Sequence, residues 1–522
     1  VTERGWWRDA VIYQVYVRSF ADGNGDGVGD LIGARSRLGY LADLGVDAVW
    51  LTPFYRSPMV DGGYDVADYR DVDPVFGTLA DARALVDDAH GLGLRVIVDL
   101  VPNHSSDQHP WFVEAIASPP GAPARERYVF RDGRGEAPPN DWRSVFGGPA
   151  WTRVPDGQWY LHLFAPQQPD LNWARDEVRE EFLDVLRFWL ELGVDGFRID
   201  VAHGLVKAAG FPDAGPDQAV LRKVIDLPYF DQDGVHEIYR EWRAVLDSFP
   251  DDRIGVAEAW VSTPRRMARY VRPDELHQAF NFLYLRCAWS ADAFRSVVDT
   301  SIAATSEVGA PNTWVLSNHD VIRHVTRYGG GETGTRRARA AALFTLALPG
   351  SVYVYQGDEL GLPEVTDLSD DVLRDPVWKR SGHADRGRDG SRVPLPWSGR
   401  LAPFGFTAPG TAPAWLPQPP DWVGLTVQAQ LVDPESMLSL YRKALALRRS
   451  LPELGDGDVH WHPSPEGVLV FDRGRGFVCT VNFGDRDVEI ERPGELALAS
   501  VPGLDDGATV LLPADSAAWW IR

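Results

Sequence analysis

Apolar positions along the chain fall into two alternating rhythms. Continuous apolar runs at Ala10–Val17, Val46–Leu51 and Leu94–Leu100 are separated by helically spaced stretches at Leu31–Leu44 and Leu79–Leu92, each with glycine at its end. Strands that are apolar throughout are buried on both faces, which predicts a parallel sheet covered by helices. The rhythm breaks after Asn103-His104. From Ser105 to about Trp173 the chain is rich in Pro, Gly, Asp and Trp, with a strand-like piece at Trp159–Phe164. It then resumes with helices at Asp176–Leu192, His236–Asp247, Pro264–Val271, Ala291–Thr305 and Thr333–Leu346. The strands between them are Val194–Ile199, Arg253–Ala257, His277–Phe282, Thr313–Leu316 and Val352–Tyr355. Eight strands with intervening helices predict an α/β fold, a (β/α)8 barrel interrupted after its third strand. Residues 362–435 are a Pro-, Gly- and Trp-rich excursion after the eighth strand, and helix Pro434–Arg449 closes the barrel. Beyond Leu451 the short runs VLVFDR, FVCTVNF, VEIERP and TVLLP predict a small all-β domain. The expected division is barrel over 1–104 and 173–450, an inserted domain over 105–172, and the all-β domain over 451–522.

Composition narrows the function. The chain has 522 residues and a formal charge of −23, so it lacks the basic face that nucleic acid requires. No apolar run approaches the ~18 residues of a membrane span. The opening VTERGWWRDA is polar and acidic ahead of any apolar run, so no secretory signal is expected and the expected class is a cytoplasmic enzyme. The two cysteines, Cys287 and Cys479, lack metal-ligand spacing and read as core thiols. Lysine is scarce beside arginine, a bias of genome composition rather than of chemistry. The 20 tryptophans are chiefly core, but rings beside Asp, Asn and His also suit carbohydrate.

Barrels carry function at the C-terminal ends of their strands. There the sequence gathers Asp200, Glu258 and Asp320 with His104, His319 and Arg198. Acetal cleavage needs a carboxylate on one face of the sugar and a proton donor at the leaving oxygen. Burial and neighbouring negative charge keep the donor protonated. A third carboxylate can stabilise the cationic transition state, and imidazoles and Asn318 can bind hydroxyls. Arg198, two residues before Asp200, shares its face and is expected to keep it ionised. In Asp22-Gly-Asn24-Gly-Asp26-Gly-Val28-Gly-Asp30, oxygen donors alternate with glycine, which lets a loop wrap a hard cation. Position twelve of that loop is Gly33 rather than Glu, so it is not an EF-hand. The run GGGETG has no following Lys-Ser/Thr and is not a phosphate loop.

Four segments, DLVPNH (99–104), GFRIDVAH (196–203), VAEAW (256–260) and LSNHD (316–320), resemble the four signatures of the α-amylase superfamily of glycoside hydrolases, family 13. The segments QVYVRSFADGNGDGVGDLIG, GYDVADY, QPDLNW, YVYQGDELG and GRDGSRVPLPW resemble its α-glucosidase and oligo-1,6-glucosidase branch. The resemblance implies a catalytic TIM barrel, a B domain inserted after strand three and a C-terminal antiparallel β-sandwich. It implies Asp200 as nucleophile, Glu258 as acid and base, and Asp320 as transition-state stabiliser. The anomer is then retained, with the first two carboxyls ~5–5.5 Å apart. His104 and His319 would bind hydroxyls of the terminal glucose. Asp65, after Tyr64, would grip its 4- and 6-hydroxyls in partnership with Arg388 and so close an exo-acting pocket. Tyr64 and Phe164 are the stacking candidates and Gln168 a polar partner. The same resemblance implies a structural Ca²⁺, or Mg²⁺, on Asp22, Asn24, Asp26, Val28 and Asp30, with no organic cofactor. The expected substrate is a small oligosaccharide or α-glucoside, with α-1,4 and α-1,6 linkage both open. Transglucosylation follows from a covalent intermediate that meets a hydroxyl in place of water. The rivals are a sucrose isomerase-like transferase and a non-catalytic transporter-subunit relative. The retained acids weigh against the second, and VIRHVTRYG after Asp320 is similar to the hydrolase branch.

Overall fold

The structure is a computed structural model that describes residues 5–218, 226–408, 410–504 and 507–522. Eight parallel strands form one sheet: β1 (Val11–Val15), β2 (Ala48–Leu51), β3 (Arg95–Leu100), β4 (Gly196–Ile199), β5 (Ile254–Ala257), β6 (Gln278–Ala279), β7 (Thr313–Val315) and β8 (Ser351–Tyr355). Their order is β6-β5-β4-β3-β2-β1-β8-β7, and the Asn281 N–H donates to the Thr313 carbonyl at 3.2 Å across the seam that makes a barrel of it. The strands are buried on both faces because two cores meet them. Ile12, Ala48, Trp50, Ile97, Ile254, Val256 and Tyr353 pack inside the barrel, whereas Val11, Val49, Val98, Phe197 and Val354 pack under the helices. The inward series turns polar at the strands' C-terminal ends. Ile97 is followed by Asp99, and Val256 by Glu258, at the two-residue strand period.

Two expected elements differ. The helix over 31–44 is two helices, Leu31–Ser36 and Leu38–Leu44, and the Ser36 hydroxyl at the break bonds back to the Gly33 carbonyl at 2.6 Å. The strand over 277–282 ends after Ala279. There the Asn281 carboxamide caps a helical turn, Phe282–Leu285, accepting from the Tyr284 N–H at 3.0 Å. Helix Asp176–Leu192 has its expected bounds and ends on Gly193, whose φ of 118° a side chain would resist.

Between β3 and β4 the chain makes a three-stranded antiparallel sheet from Phe130–Asp132, Gln158–Leu161 and Trp151–Arg153. Its core of Trp142, Trp151, Leu161 and Leu163 also takes in Leu227 and Tyr229 from the loop after β4. Beyond His460 a five-stranded sheet forms from β9 (His460–Trp461), β10 (Val468–Arg473), β11 (Phe477–Asn482), β13 (Glu495–Ala499) and β15 (Ser516–Ile521). It faces a two-stranded sheet of β12 (Val488–Glu491) and β14 (Thr509–Leu512). Strand β15 reads SAAWWI because both its faces are covered. Trp520 points into the sandwich, while the Trp519 indole donates to the Leu343 carbonyl of barrel helix Gly331–Ala347 at 3.1 Å. Cys287 and Cys479 are free and buried. Among the described residues no helix is long and apolar enough to cross a membrane.

Candidate active site

The first residues past β4 and β5, and the turn five residues past β7, bring Asp200, Glu258 and Asp320 to one end of the barrel. Arg198 sits between the first two. Its Nη1 bonds Asp200 at 2.7 Å and Asp99 at 2.8 Å, and its Nη2 lies 3.4 Å from Glu258. Burial pushes Asp200 well above the ordinary carboxyl range, with Glu258 and Asp320 adding to the effect. Burial and the charge of Asp320 push Glu258 up to about 7. The two acids therefore titrate as a pair. Arg198 is nearer Asp200, which favours the negative charge there and the proton on Glu258. Asp320 is the opposite case. Burial would raise it, but the guanidiniums of Arg388 and Arg392, each 3.0 Å away, outweigh that and hold it well below the usual range.

Glu258 has two further partners. The Val201 N–H donates to Oε2 at 2.6 Å and the Trp260 indole to Oε1 at 2.5 Å. Val201 turns that N–H inward by adopting φ 45°, which is strained for a β-branched residue. Trp260 stacks face to face on Phe282, with ring centroids 3.8 Å apart and planes 6° apart.

The histidines lie in relays. Gln14 Nε2 meets His319 Nδ1 at 2.7 Å, His319 Nε2 meets the Tyr64 hydroxyl at 2.8 Å, and that hydroxyl donates to Asp99 at 3.0 Å. With Gln14 donating, His319 is the neutral Nε2–H tautomer, and burial lowers its pKa in the same sense. His104 is also buried and lowered to about 4, and its Nε2 lies 3.1 Å from Gln168 Nε2. Phe164 is half-buried beside His104, with ring centroids 5.0 Å apart, and beside Phe146 at 5.4 Å.

The expected pairing of Asp65 with Arg388 is corrected. Arg388 Nη2 bonds Asp61 at 2.7 Å, and the Asp65 carboxylate accepts from the Val60 and Asp61 N–H groups at 2.8 and 3.0 Å. Gly62 and Gly63, at φ 63° and 108°, reverse the chain between the two acids. Asp65 is thus spent on capping the turn, and Asp61 is the one delivered to the pocket. Burial pushes Asp65 up to about 6. Gln168 Nε2 also donates to Asp61, at 3.2 Å. Arg388 further grips Asp375 at 2.6 Å and Asp320 at 3.0 Å, and Arg392 bonds Asp320 at 3.0 Å. Asn318 caps the Asp320 N–H at 2.9 Å. Sequence reasoning missed Asp61, Asp375, Arg392, Asp99 and Trp260 as members of the site. Arg392 lay inside the quoted GRDGSR and Trp260 inside VAEAW, whereas Asp375 carries no local signal.

Asp22, Asn24, Asp26, Val28 and Asp30 form the loop before helix Leu31–Ser36. Asp22 accepts from the Gly25 and Gly27 N–H groups at 2.6 and 2.8 Å, and Asp30 caps the helix through the Gly33 N–H at 2.6 Å. Asp22 and Asp30 share the Asn24 N–H, each at 3.1 Å. Among the described residues no group of three or more His, Cys, Asp or Glu is arranged to hold a metal. The residues therefore do not make a three-carboxylate cage. Two convergent acids and nearby carbonyls are what the loop offers a cation.

Known proteins resemble the chain over nearly its whole length. Residues 14–457 match the α-amylase catalytic domain model, and residues 454–519 match a domain of unknown function, DUF3459. A probable α-glucosidase of Rhizobium meliloti (strain 1021) is 39% identical over 94% of this chain and 92% of its own length. An oligo-1,6-glucosidase of Parageobacillus thermoglucosidasius is 37% identical over 86% of this chain and 84% of its own. Among solved structures, the α-glucosyl transfer enzyme XgtA superposes with a TM-score of 0.90 at 37% identity, covering 99% of this chain and 100% of that one. The trehalulose synthase MutB from Pseudomonas mesoacidophila MX-45 superposes with a TM-score of 0.91 at 33% identity, covering 99% of each chain.

Proposed function

The chain belongs to the α-amylase family and is a glycoside hydrolase, and from that footing we propose that it is a retaining, exo-acting α-glucosidase. It would release single glucose units from the non-reducing ends of short α-linked oligosaccharides. The observation that carries this reading is the buried Asp61–Arg388 pair, 2.7 Å apart and beside Asp320, with Gln168 on its flank. A charged pair in that position blocks a chain from running through the site and presents both a donor and an acceptor to terminal hydroxyls.

In the first step an Asp200 oxygen bonds to C1 as the glycosidic C1–O bond breaks, and the Glu258 proton goes to the leaving oxygen. In the second, Glu258 takes a proton from water, whose oxygen bonds to C1 and releases Asp200. Two inversions retain the α anomer. Asp320, kept ionised by its two arginines, faces the cationic sugar of each transition state. Carboxyls (Asp61, Asp99, Asp200, Glu258, Asp320 and Asp375) outnumber the guanidiniums of Arg198, Arg388 and Arg392, which favours positive charge developing on the sugar. His104, His319 and Tyr64 would meet the glucose hydroxyls and ring, and Phe164 its rim. Val201-Ala202-His203 borders the leaving group, and both α-1,4 and α-1,6 linkages remain within the proposal. Transfer to a sugar hydroxyl follows where the acceptor displaces water. No oxidant, reductant or organic cofactor enters either step.

A second reading, a sucrose-rearranging isomerase, is favoured by the likeness to MutB, whose name is that of a trehalulose synthase. A non-catalytic role is disfavoured by the intact acids. The testing experiment incubates the enzyme with maltose, isomaltose, nigerose, kojibiose, sucrose, trehalose and starch, with product anomers followed by NMR. α-Glucose from short substrates and little from starch supports the proposal. Sucrose converted to an isomer supports the second reading, and initial β-glucose would refute retention. We extend the proposal to a Ca²⁺ or Mg²⁺ held by Asp22 and Asp30 with the Asn24, Asp26 and Val28 oxygens, a structural ion that takes no part in the steps above. A melting temperature unchanged by a chelator and by added Ca²⁺ would remove it. A cytoplasmic location also belongs to the proposal, supported by two unpaired cysteines.

A further inference from the structure

Glu258 must be an acid in one step and a base in the next. A group with both duties works best when its pKa lies near the working pH. Burial pushes Glu258 upward, and every carboxylate around it pushes the same way. The groups facing it are Arg198 (Nη2 3.4 Å away), Asp200, Asp320, Tyr239 and His203, whose ring is directed at the Glu258 backbone carbonyl. Arg198, although shared with Asp200 and Asp99 at 2.7 and 2.8 Å, is the largest counterweight to that push. The remaining counterweights are the Val201 N–H and the Trp260 indole N–H. Both are donors with no acceptor capacity, and a donor bonds a carboxylate more strongly than a carboxylic acid. Each therefore favours the base form.

We propose that Trp260 is a positioning residue that holds Glu258 oriented and poises it between its two duties through the indole N–H···Oε1 bond. Its ring is fixed for this by the face-to-face stack on Phe282 at 3.8 Å. Val201 supplies the matching bond to Oε2 from the backbone, where no side-chain change can remove it. Only the indole N–H is open to substitution. The inference rests on the reading of Glu258 as acid and base.

The test compares pH profiles of wild type, Trp260→Phe and Glu258→Gln. The basic limb of kcat/KM on an aryl α-glucoside reports the acid form in the free enzyme. The acidic limb of kcat on α-glucosyl fluoride, where the second step limits, reports the base form in the intermediate. Trp260→Phe keeps a ring on Phe282 but loses the donor, and both limbs should move up by about one pH unit. A loss of packing alone would lower rates and leave both limbs in place, and that result overturns the proposal. If the Phe variant does not fold, benzothienylalanine at position 260 replaces N–H by sulfur in the same outline and should give the same shift. Wild-type turnover and profile in Glu258→Gln would refute the acid/base reading itself. That outcome is distinct from unmoved limbs beside an inactive Glu258→Gln.

Discussion

Replacing Asp61 by Asn tests whether the pocket closes as described. The substitution keeps the side chain's outline and removes its charge. Arg388 would keep Asp375 at 2.6 Å and Asp320 at 3.0 Å, so the cation is not abandoned. Truncating one partner of a buried pair costs ~3–5 kcal/mol when the other is left alone. Here two acids remain, and burial already pushes Asp61 toward its neutral form. The folding cost should therefore stay near ~1 kcal/mol. Substrate loses more. A hydrogen bond from a sugar hydroxyl to a buried carboxylate is worth ~1.5–3 kcal/mol. At 1.36 kcal/mol per tenfold, kcat/KM should fall by about ten- to a hundredfold. The decisive assay pairs Asp61→Asn with 4-deoxy and 6-deoxy aryl α-glucosides. Wild type should discriminate against at least one of them, and the variant should have lost that discrimination. Asp65→Asn, which weakens a loop cap, should lower thermal stability and leave the preference for the hydroxyl in place. If Asp61→Asn keeps the full penalty for the missing hydroxyl while Asp65→Asn abolishes it, the assignment is reversed.

The remaining predictions concern pH and stability. Glu258 is pushed up to about 7, so its proton is present below that pH and lost above it, and wild-type kcat/KM should fall tenfold per unit on the alkaline side. A basic limb beginning near pH 5 would contradict the buried pairing. Trp519 is fully buried between the sandwich and the Gly331–Ala347 helix, so Trp519→Ala should cost ~3–5 kcal/mol in denaturant unfolding with kcat unchanged on the folded fraction. A loss of kcat in fully folded Trp519→Ala would mean that the sandwich acts on the chemistry.

The barrel was legible because its periodicity is local. A run such as LRVIVDL needs no partner to be read as a doubly buried strand, and helix 176–192 carries its own glycine stop. What escaped were elements whose shape is set from outside. SAAWWI looks like any apolar run until barrel and sandwich are both present to cover Trp519 and Trp520. The split at Arg37 falls beside a serine hydroxyl bonded back to the Gly33 carbonyl, with no break in the apolar spacing to announce it. The site follows the same rule. Acids at strand ends were legible because a barrel fixes where strand ends go. The choice between Asp61 and Asp65 was not, since the two lie four residues apart on either side of a glycine pair. Spacing ranks them equally, and only the turn geometry decides which caps backbone N–H groups and which reaches Arg388. Asp375 lies further still from any motif and is known only through the guanidinium it grips. Apart from Asp61, residues proposed to act on substrate directly were thus easier to read than residues that act through Arg388 or Glu258. A partner's position depends on the whole path of the chain, whereas a strand-end carboxylate depends on one element. The same reasoning places Trp260 with Asp375: its side chain is visible in the sequence, but its bond to Glu258 is a property of the fold.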